Sequence, residues 1–220
     1  MQILLNPNAF RLKYRYMKHE ILFRKLAEIF LAENQKLNLS SFKTTSEVYE
    51  KHILDSLEAT KAFPEVFNNA RCLIDIGTGG GFPGLPLLIE NPNIEVTFMD
   101  ATRKKLDAIE RMTDTIKLSV NYKWKTLWGR AEELGRLSKY AKKYDMVTAR
   151  AVAILPKLIE WCIPFLKPNG HLILWKQAET LEEEINLAQK LMKDIKIIRI
   201  HKYKLPSYDD ERVLVVLRKT

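Results

Sequence analysis

Along the first sixty residues the apolar positions recur every three or four: Ile21, Leu22, Leu26, Ile29 and Phe30 mark one stripe, and a second stretch runs from about Thr45 through Val48, Ile53 and Leu57. That period predicts helices. Past Asn68-Asn69-Ala70 the pattern changes to short apolar runs, Cys72 to Ile76, Glu95 to Met99, Tyr122 to Leu127, Asp145 to Thr148 and His171 to Trp175. Helical stretches fall between and after them, around Leu85 to Glu90, Arg103 to Lys117, Ala131 to Tyr140, Leu155 to Leu166 and Thr180 to Lys193. Strands alternating with helices predict a parallel, doubly wound α/β sheet. Two extended segments close the chain, Lys196 to Lys204 and Arg212 to Arg218, with Leu205-Pro206-Ser207-Tyr208-Asp209-Asp210 between them and no helix. They should pair as a hairpin, which makes about seven strands with the last one antiparallel.

Five alternating strands followed by a terminal hairpin is the layout of the class I methyltransferases, a Rossmann-like fold; ordinary dinucleotide-binding folds lack the hairpin. The chain divides into a helical N-terminal extension, residues 1–68, and a core, residues 69–220. No repeat, low-complexity tract or Ser/Gly linker separates them, so the extension is expected to pack on the core. The 220 residues are 46% hydrophobic, which supports a globular chain rather than a disordered one. The longest apolar runs, such as Val213-Leu214-Val215-Val216-Leu217, are far short of the ~20 residues that span a bilayer. Asn6, Pro7, Arg11, Lys13 and Arg15 precede any signal-like stretch, so no membrane association and a cytoplasmic location are expected. Cys72 and Cys162 make neither a disulfide framework nor a metal knot, and no metal is expected.

The most informative local run is Leu73-Ile74-Asp75-Ile76-Gly77-Thr78-Gly79-Gly80-Gly81-Phe82-Pro83-Gly84. A strand there empties into a glycine-rich turn that opens a helix, with Pro83 suited to the first helical position. Without Cβ atoms the backbone can bend sharply under a ligand. Counted from Gly77, a dinucleotide fingerprint would need its third glycine where Phe82 stands, and the alternative register from Gly79 to Gly84 starts two residues late. Asp75 in the leading strand suits S-adenosyl-L-methionine better, whose sulfonium and amino group are cationic. Gly77 and Gly79 would approach it closely. Asp100 closes the second strand, where a carboxylate can accept both ribose hydroxyl hydrogens. Trp128-Gly129-Arg130-Ala131-Glu132 follows the third strand at the edge where adenine would lie, with Ala131 and Glu132 as contacts.

Thirty-six Lys and Arg against 27 Asp and Glu give a net charge of +9, which favours a polyanionic partner. Basic clusters stand at Arg11/Lys13/Arg15/Lys18, Arg103/Lys104/Lys105, Lys139/Lys142/Lys143 and Lys193/Lys196/Arg199/Lys202/Lys204. Arg150 and Lys176 follow the fourth and fifth strands, the rim where doubly wound sheets bind ligands, and could hold a target base or its phosphate; the phosphate is favoured for Lys176. His52 and Asp55 lie three apart on a helix, either lining a pocket or fixing that helix to the sheet. Arg130 completes the substrate-binding candidates. Trp124, Trp161 and Trp175 read as core, whereas Trp128 could flank adenine.

Several of these motifs stand together in one family. Asn38-Leu39-Ser40, Lys51-His52-Ile53-Leu54-Asp55-Ser56-Leu57, the run from Asp75 to Gly84, Arg150-Ala151 and Glu211-Arg212 closely resemble the RsmG (GidB) family, from about Asn38 to the C-terminus. Those proteins are bacterial 16S rRNA guanine-N(7) methyltransferases. The resemblance implies methyl transfer from S-adenosyl-L-methionine to ring nitrogen 7 of one guanine in the decoding region (530 loop) of 16S rRNA, with 16S rRNA or the 30S subunit as partner; separately, a monomer is expected. Its cofactor contacts carry over to Gly77, Phe82, Asp100, Ala101, Thr102, Ala131, Glu132 and Arg150. Gly80 departs from the proline of many members, which would loosen the turn.

That chemistry needs no general base, because nitrogen 7 carries a lone pair and no hydrogen; alignment in a dry pocket suffices. No catalytic residue is therefore expected. Thr148-Ala149-Arg150-Ala151 stands where enzymes of exocyclic amines commonly carry Asn/Asp-Pro-Pro-aromatic, and neither cysteine has a His or Lys neighbour that would make it the nucleophile for cytosine C5. An RNA methyltransferase of another base, a nicotinamide-dependent oxidoreductase and a non-catalytic ribosome-binding module remain as alternatives. The first label transferred, or the absence of any, separates them.

Overall fold

A computed structural model describes the backbone of residues 7–117 and 122–220, and the side chains of residues 19–117 and 122–220. The basic cluster Arg11/Lys13/Arg15/Lys18 lies outside the described side chains. The strands are β1 (Cys72–Ile76), β2 (Glu95–Asp100), β3 (Trp124–Trp128), β4 (Tyr144–Arg150), β5 (Leu166–Gln177), β6 (Ile195–Tyr203) and β7 (Arg212–Lys219). They form one sheet in the order β3-β2-β1-β4-β5-β7-β6. β1 to β5 pair in parallel, and β7 enters antiparallel between β5 and β6. The order reverses between β1 and β4, so a crevice opens at the carboxyl ends there.

The sheet is covered on both faces, which is why β1 and β7 read as nearly unbroken apolar runs. On one face Leu26 and Phe30 of α1 (Pro7–Leu37), Leu85 and Leu88 of α5 (Gly84–Glu90), and Leu106 and Ile109 of α6 (Arg103–Ile116) pack with Leu73, Val96, Phe98 and Leu214. On the other, Leu155, Leu158 and Ile159 of α8 (Leu155–Cys162) and Leu181 of α9 (Ala178–Ala188) meet Ile74, Val147, Leu172 and Val215. Helices before residue 68 thus share a core cluster with the sheet. No helix among the described residues is long and apolar enough to cross a membrane.

The helical stretch from Thr45 is three segments in series: α2 (Thr45–Val48), a π-helical turn (Tyr49–Leu54) and α3 (Asp55–Ala62), followed by α4 (Pro64–Asn69). A capping box starts it, with the Thr44 hydroxyl accepting from the Glu47 N–H and the Glu47 carboxylate accepting from the Thr44 N–H. The π turn was not legible in the apolar spacing. His52 lies within it, and π turns are frequent at functional sites.

Several helix ends differ from the expectation. The helix beginning at Ala131 (α7, Ala131–Leu134) stops well before Tyr140, and Gly135 just beyond it is pressed against Phe165 and Pro164, where a Cβ would stand 3.1 Å from each. α8 ends at Cys162 rather than running to Leu166, since Pro164 has no N–H to continue it, and a 3-10 turn, Ile163–Phe165, follows. Pro83, after a cis peptide, caps α5 instead of occupying its first helical position. Gly80 does not loosen the turn. It is buried beneath α1, where an added Cβ would stand 2.5 Å from the Phe30 ring.

Candidate functional site

The glycine turn leaves the carboxyl end of β1 with Gly77 at φ +66° and Gly79 at φ +57°. Two bonds tie it to the tip of β2: the Thr78 N–H donates to the Met99 carbonyl at 3.0 Å, and the Gly79 N–H to Asp100 Oδ2 at 3.0 Å. A Cβ at Gly77 would strike Val152 at 2.6 Å, whereas one at Gly79 meets only the Gly77 carbonyl at 3.9 Å. Gly79 therefore faces open space. Asp100, 7% exposed, also accepts from the Thr102 N–H at 2.8 Å, and that bond ends β2 and starts α6. Ala101 and Thr102 are exposed beside it. Trp128, 60% exposed, hangs over this stretch with its Nε1 donating to the Ala101 carbonyl at 3.0 Å. Ala131 is buried at the start of α7, Glu132 is half-buried, and exposed Arg130 stands 3.8 Å from Glu132. The open Cβ direction at Gly79, the partly uncovered Asp100 carboxylate and the Trp128 face together fit a ribonucleoside cofactor.

Asp75 lies elsewhere than expected. It is fully buried, with Oδ2 accepting from Thr78 Oγ1 at 2.6 Å and the Gly84 N–H at 3.0 Å, and Oδ1 accepting from Thr148 Oγ1 at 2.8 Å. Burial pushes its pKa up to about 6 despite those donors. With every near donor inside the protein, it braces the turn against β4 and α5 from below, and does not reach a ligand above.

Next to the turn, beyond Arg150, opens a cavity of about 730 Å³ lined by Phe42, Lys51, His52, Trp175, Glu179 and Arg212 among others. Its inner wall is a buried charge cluster. Asp55, 1% exposed, accepts from Arg150 Nη1 at 2.7 Å, Arg212 Nη1 at 3.1 Å and the Tyr203 hydroxyl at 2.6 Å. Arg150 also donates from Nη2 to His52 Nδ1 at 2.9 Å and reaches the Lys51 and His52 carbonyls at 3.4 Å, on the inner side of the π turn. The His52 ring stacks on Phe82 of the glycine turn, centroids 4.5 Å apart, with Phe30 and Phe42 closing its other sides. Burial, and then Arg150, hold His52 down at a pKa of about 2, so the ring stays neutral and its Nδ1 lone pair is taken. Ala151, in the left-handed region at φ +56°, turns the chain off β4 at the cavity mouth. Phe82, His52, Arg150, Asp55 and Arg212 thus form one contact chain from the turn to the cavity.

Lys176 is not a free cation. Its Nζ pairs with Glu184 at 2.6 Å and donates to the Ala153 carbonyl at 3.2 Å, which ties the loop after β4 to α9. Lys51, by contrast, makes no ion pair among the described residues; its ammonium lies 3.9 Å from the Tyr208 ring centroid. Arg212, Tyr203, Lys51 and Phe42 were missed as site residues by local reading, although Lys51 and Arg212 stand in motifs that carried the resemblance. Trp175 is core, as expected, yet its Nε1 donates to the Asp55 carbonyl at 2.8 Å and its ring lines the cavity. Cys72 lies at the opposite end of β1 from the turn, and Cys162 is buried with its thiol pushed far up by burial. No group of His, Cys, Asp and Glu able to hold a metal occurs among the described residues.

Solved structures with this fold include the O-methyltransferase from Bacillus cereus in complex with SAH (TM-score 0.63, 14% identity, 89% of this chain and 90% of that one). The PH0226 protein from Pyrococcus horikoshii OT3 gives a TM-score of 0.57 at 16% identity, covering 83% and 93%. Those likenesses establish the fold. Sequence relatives go further: the ribosomal RNA small subunit methyltransferase G of Thermoanaerobacter sp. (strain X514) is 38% identical over 92% of this chain and 83% of its own length. That of Bacillus subtilis is 36% identical over 90% and 81%, and that of Lactobacillus acidophilus 32% over 98% and 91%. A family model described as rRNA small subunit methyltransferase G matches residues 19–213, so the chain belongs to that family and is an S-adenosylmethionine-dependent rRNA methyltransferase.

Proposed function

We propose that the chain methylates ring nitrogen 7 of a guanine in the decoding region of 16S rRNA, free or within the 30S subunit. The observation that carries this reading is the cavity beside the glycine turn, which offers aromatic walls and fixed guanidiniums and, next to the turn, no base free to take a proton; its one unpaired carboxylate, Glu179, stands two strands away at the tip of β5. His52, the nearest basic ring, is neutral and already accepts from Arg150. A nitrogen that must lose a hydrogen would be poorly served there; nitrogen 7 has none to lose.

Bound S-adenosyl-L-methionine supplies an electrophilic methyl group, and the residues to hold it are Gly77, Gly79, Asp100, Ala101, Thr102, Trp128, Ala131 and Glu132. The protein's own task is alignment. Phe82 and His52 form a stacked floor between turn and cavity, and Arg150, pinned by Asp55, fixes the edge against which the base settles. Fixed guanidiniums favour the carbonyl and phosphate oxygens of the nucleotide and leave nitrogen 7 free. Lys51 replaces Lys176 as the cation for a phosphate, because Glu184 neutralises Lys176. Asp75 acts from beneath, as the brace of the turn.

The test is incubation with methyl-labelled cofactor and undermethylated 30S subunits or 16S rRNA, followed by nucleoside digestion. Label in 7-methylguanosine is expected. Label in another nucleoside, or none in either substrate, overturns the proposal.

A further inference from the structure

A methyltransferase that acts on guanine must reject adenine, which presents the same nitrogen 7. The two bases differ beside nitrogen 7, where guanine has a carbonyl that a guanidinium can read and adenine an amino group, and they differ again on the opposite edge, where guanine carries an N1–H and a 2-amino group, both donors, and adenine carries an acceptor and no amino group. Arg150 and Arg212 are donors only, so they cannot read that second edge. A carboxylate can.

Four carboxylates line the cavity: Asp55, Glu179, Asp210 and Glu211. Asp55 is consumed by Arg150, Arg212 and Tyr203. Asp210 accepts from Arg212 Nε at 3.1 Å, and Glu211 pairs with Lys202 at 2.7 Å. Glu179 alone has no hydrogen-bond or ion-pair partner among the described residues. It stands in the first turn of α9, directly after β5, beside exposed Gln177. Its place in the sheet matters as much as its freedom. β1, β4 and β5 are consecutive, so the tip of β5 lies about 10 Å from the glycine turn at two strand spacings. A guanine with nitrogen 7 turned towards β1 therefore extends its opposite edge over β4 towards β5.

We propose that Glu179 is a specificity-determining residue, its carboxylate accepting from the N1–H and 2-amino group of the target guanine. This rests on the guanine reading above. It adds a side chain that reads the guanine edge the arginines cannot, and it assigns Glu179 no part in the methyl transfer itself.

Atom removal on the substrate provides the test. 30S subunits are reconstituted on 16S rRNA ligated to carry guanosine or inosine at the methylated position; inosine keeps N1–H and nitrogen 7 but lacks the amino group. Wild-type enzyme should prefer guanosine by about tenfold in kcat/KM, the weight of one hydrogen bond to a charged acceptor. Glu179→Ala should lose about tenfold or more on guanosine and show a guanosine/inosine ratio near one, with an unchanged melting temperature because the side chain is exposed. Glu179→Asp should restore part of the ratio. A merely structural residue would lower both substrates equally, so a ratio in Glu179→Ala that matches wild type overturns the assignment. Failure of the wild-type enzyme to form 7-methylguanosine on guanosine rRNA instead overturns the underlying guanine reading, and this inference with it.

Discussion

Replacing Asp55 by Asn tests the cluster that joins the two halves of the site. The side chain keeps its size and loses its charge, so Arg150, with its side chain 12% exposed, is left without a counter-ion, and Arg212, 27% exposed, keeps only Asp210. The new amide also presents hydrogens to groups that can only donate. Breaking one partner of a buried ion pair costs about 3–5 kcal/mol, and the partial exposure of Arg212 brings the expectation towards the lower end, about 3 kcal/mol. Against a total of about 5–15 kcal/mol, that is a large fraction. Urea unfolding measures it directly. Methyl transfer should fall by about a hundredfold, because Arg150 loses its strongest anchor while cofactor binding at the β1–β2 tips is untouched. The decisive variant is the double one, Asp55→Asn with Arg212→Met, which removes one of the two cations. It should recover about 1 kcal/mol or more over Asp55→Asn alone. If Asp55→Asn costs less than about 1 kcal/mol, or if the double variant is no more stable than the sum of its parts, the cluster is not held by this charge balance.

Three further outcomes are expected. Gly79→Val should weaken S-adenosylmethionine binding by a hundredfold or more in calorimetry while costing only about 1–2 kcal/mol of stability for its φ of +57°, since its Cβ enters open space; an unchanged Kd would mean the ligand does not lie over Gly79. Lys51→Ala should raise the KM for 30S subunits and lower the salt dependence of binding by about one counterion, whereas Lys176→Ala should instead reduce stability by stranding Glu184; the reverse pattern refutes the reassignment. Asp75, raised from 3.8 to about 6, contributes stability that is full below about pH 4 and lost as pH rises through 6, while His52, lowered from 6.5 to about 2, contributes stability that is full above 6.5 and lost as pH falls. Between pH 4 and 6 the two oppose each other, so Asp75→Asn should unmask a rise of about 1.4 kcal/mol per pH unit in urea unfolding; a profile as flat as wild type would sink the assignment.

The parts of this molecule that were legible in its sequence are those whose cause is local. The Gly77-Thr78-Gly79 turn announces itself because positive φ must be met by the residue that adopts it, and Asp100 because a strand of that length ends where its apolar run ends. Seven strands and the closing hairpin follow from periodicity alone. The cavity wall was different. Asp55 meets Arg150 and Arg212 across separations of 95 and 157 residues, and nothing in the neighbourhood of any one of them marks the other two. Asp75 was misplaced for the same reason: its position in β1 suggested a ligand, but Thr148, 73 residues away, fills one of its oxygens.

Charge is where the gap between local and tertiary reading has the greatest consequence. Lys176 at the end of β5 has every sequence attribute of a phosphate-binding residue, and it is removed from that role by Glu184, which stands well inside α9 beyond the reach of strand-end reasoning. α9 decides the matter. Two turns of one helix set Glu184 against the ammonium and leave Glu179 facing the cavity without a partner, so the element that neutralises the expected cation also supplies the free carboxylate. A rim residue's chemistry is therefore fixed by which of its neighbours remains unpaired after the fold has closed, and at the tip of β5 the unpaired side chain is acidic.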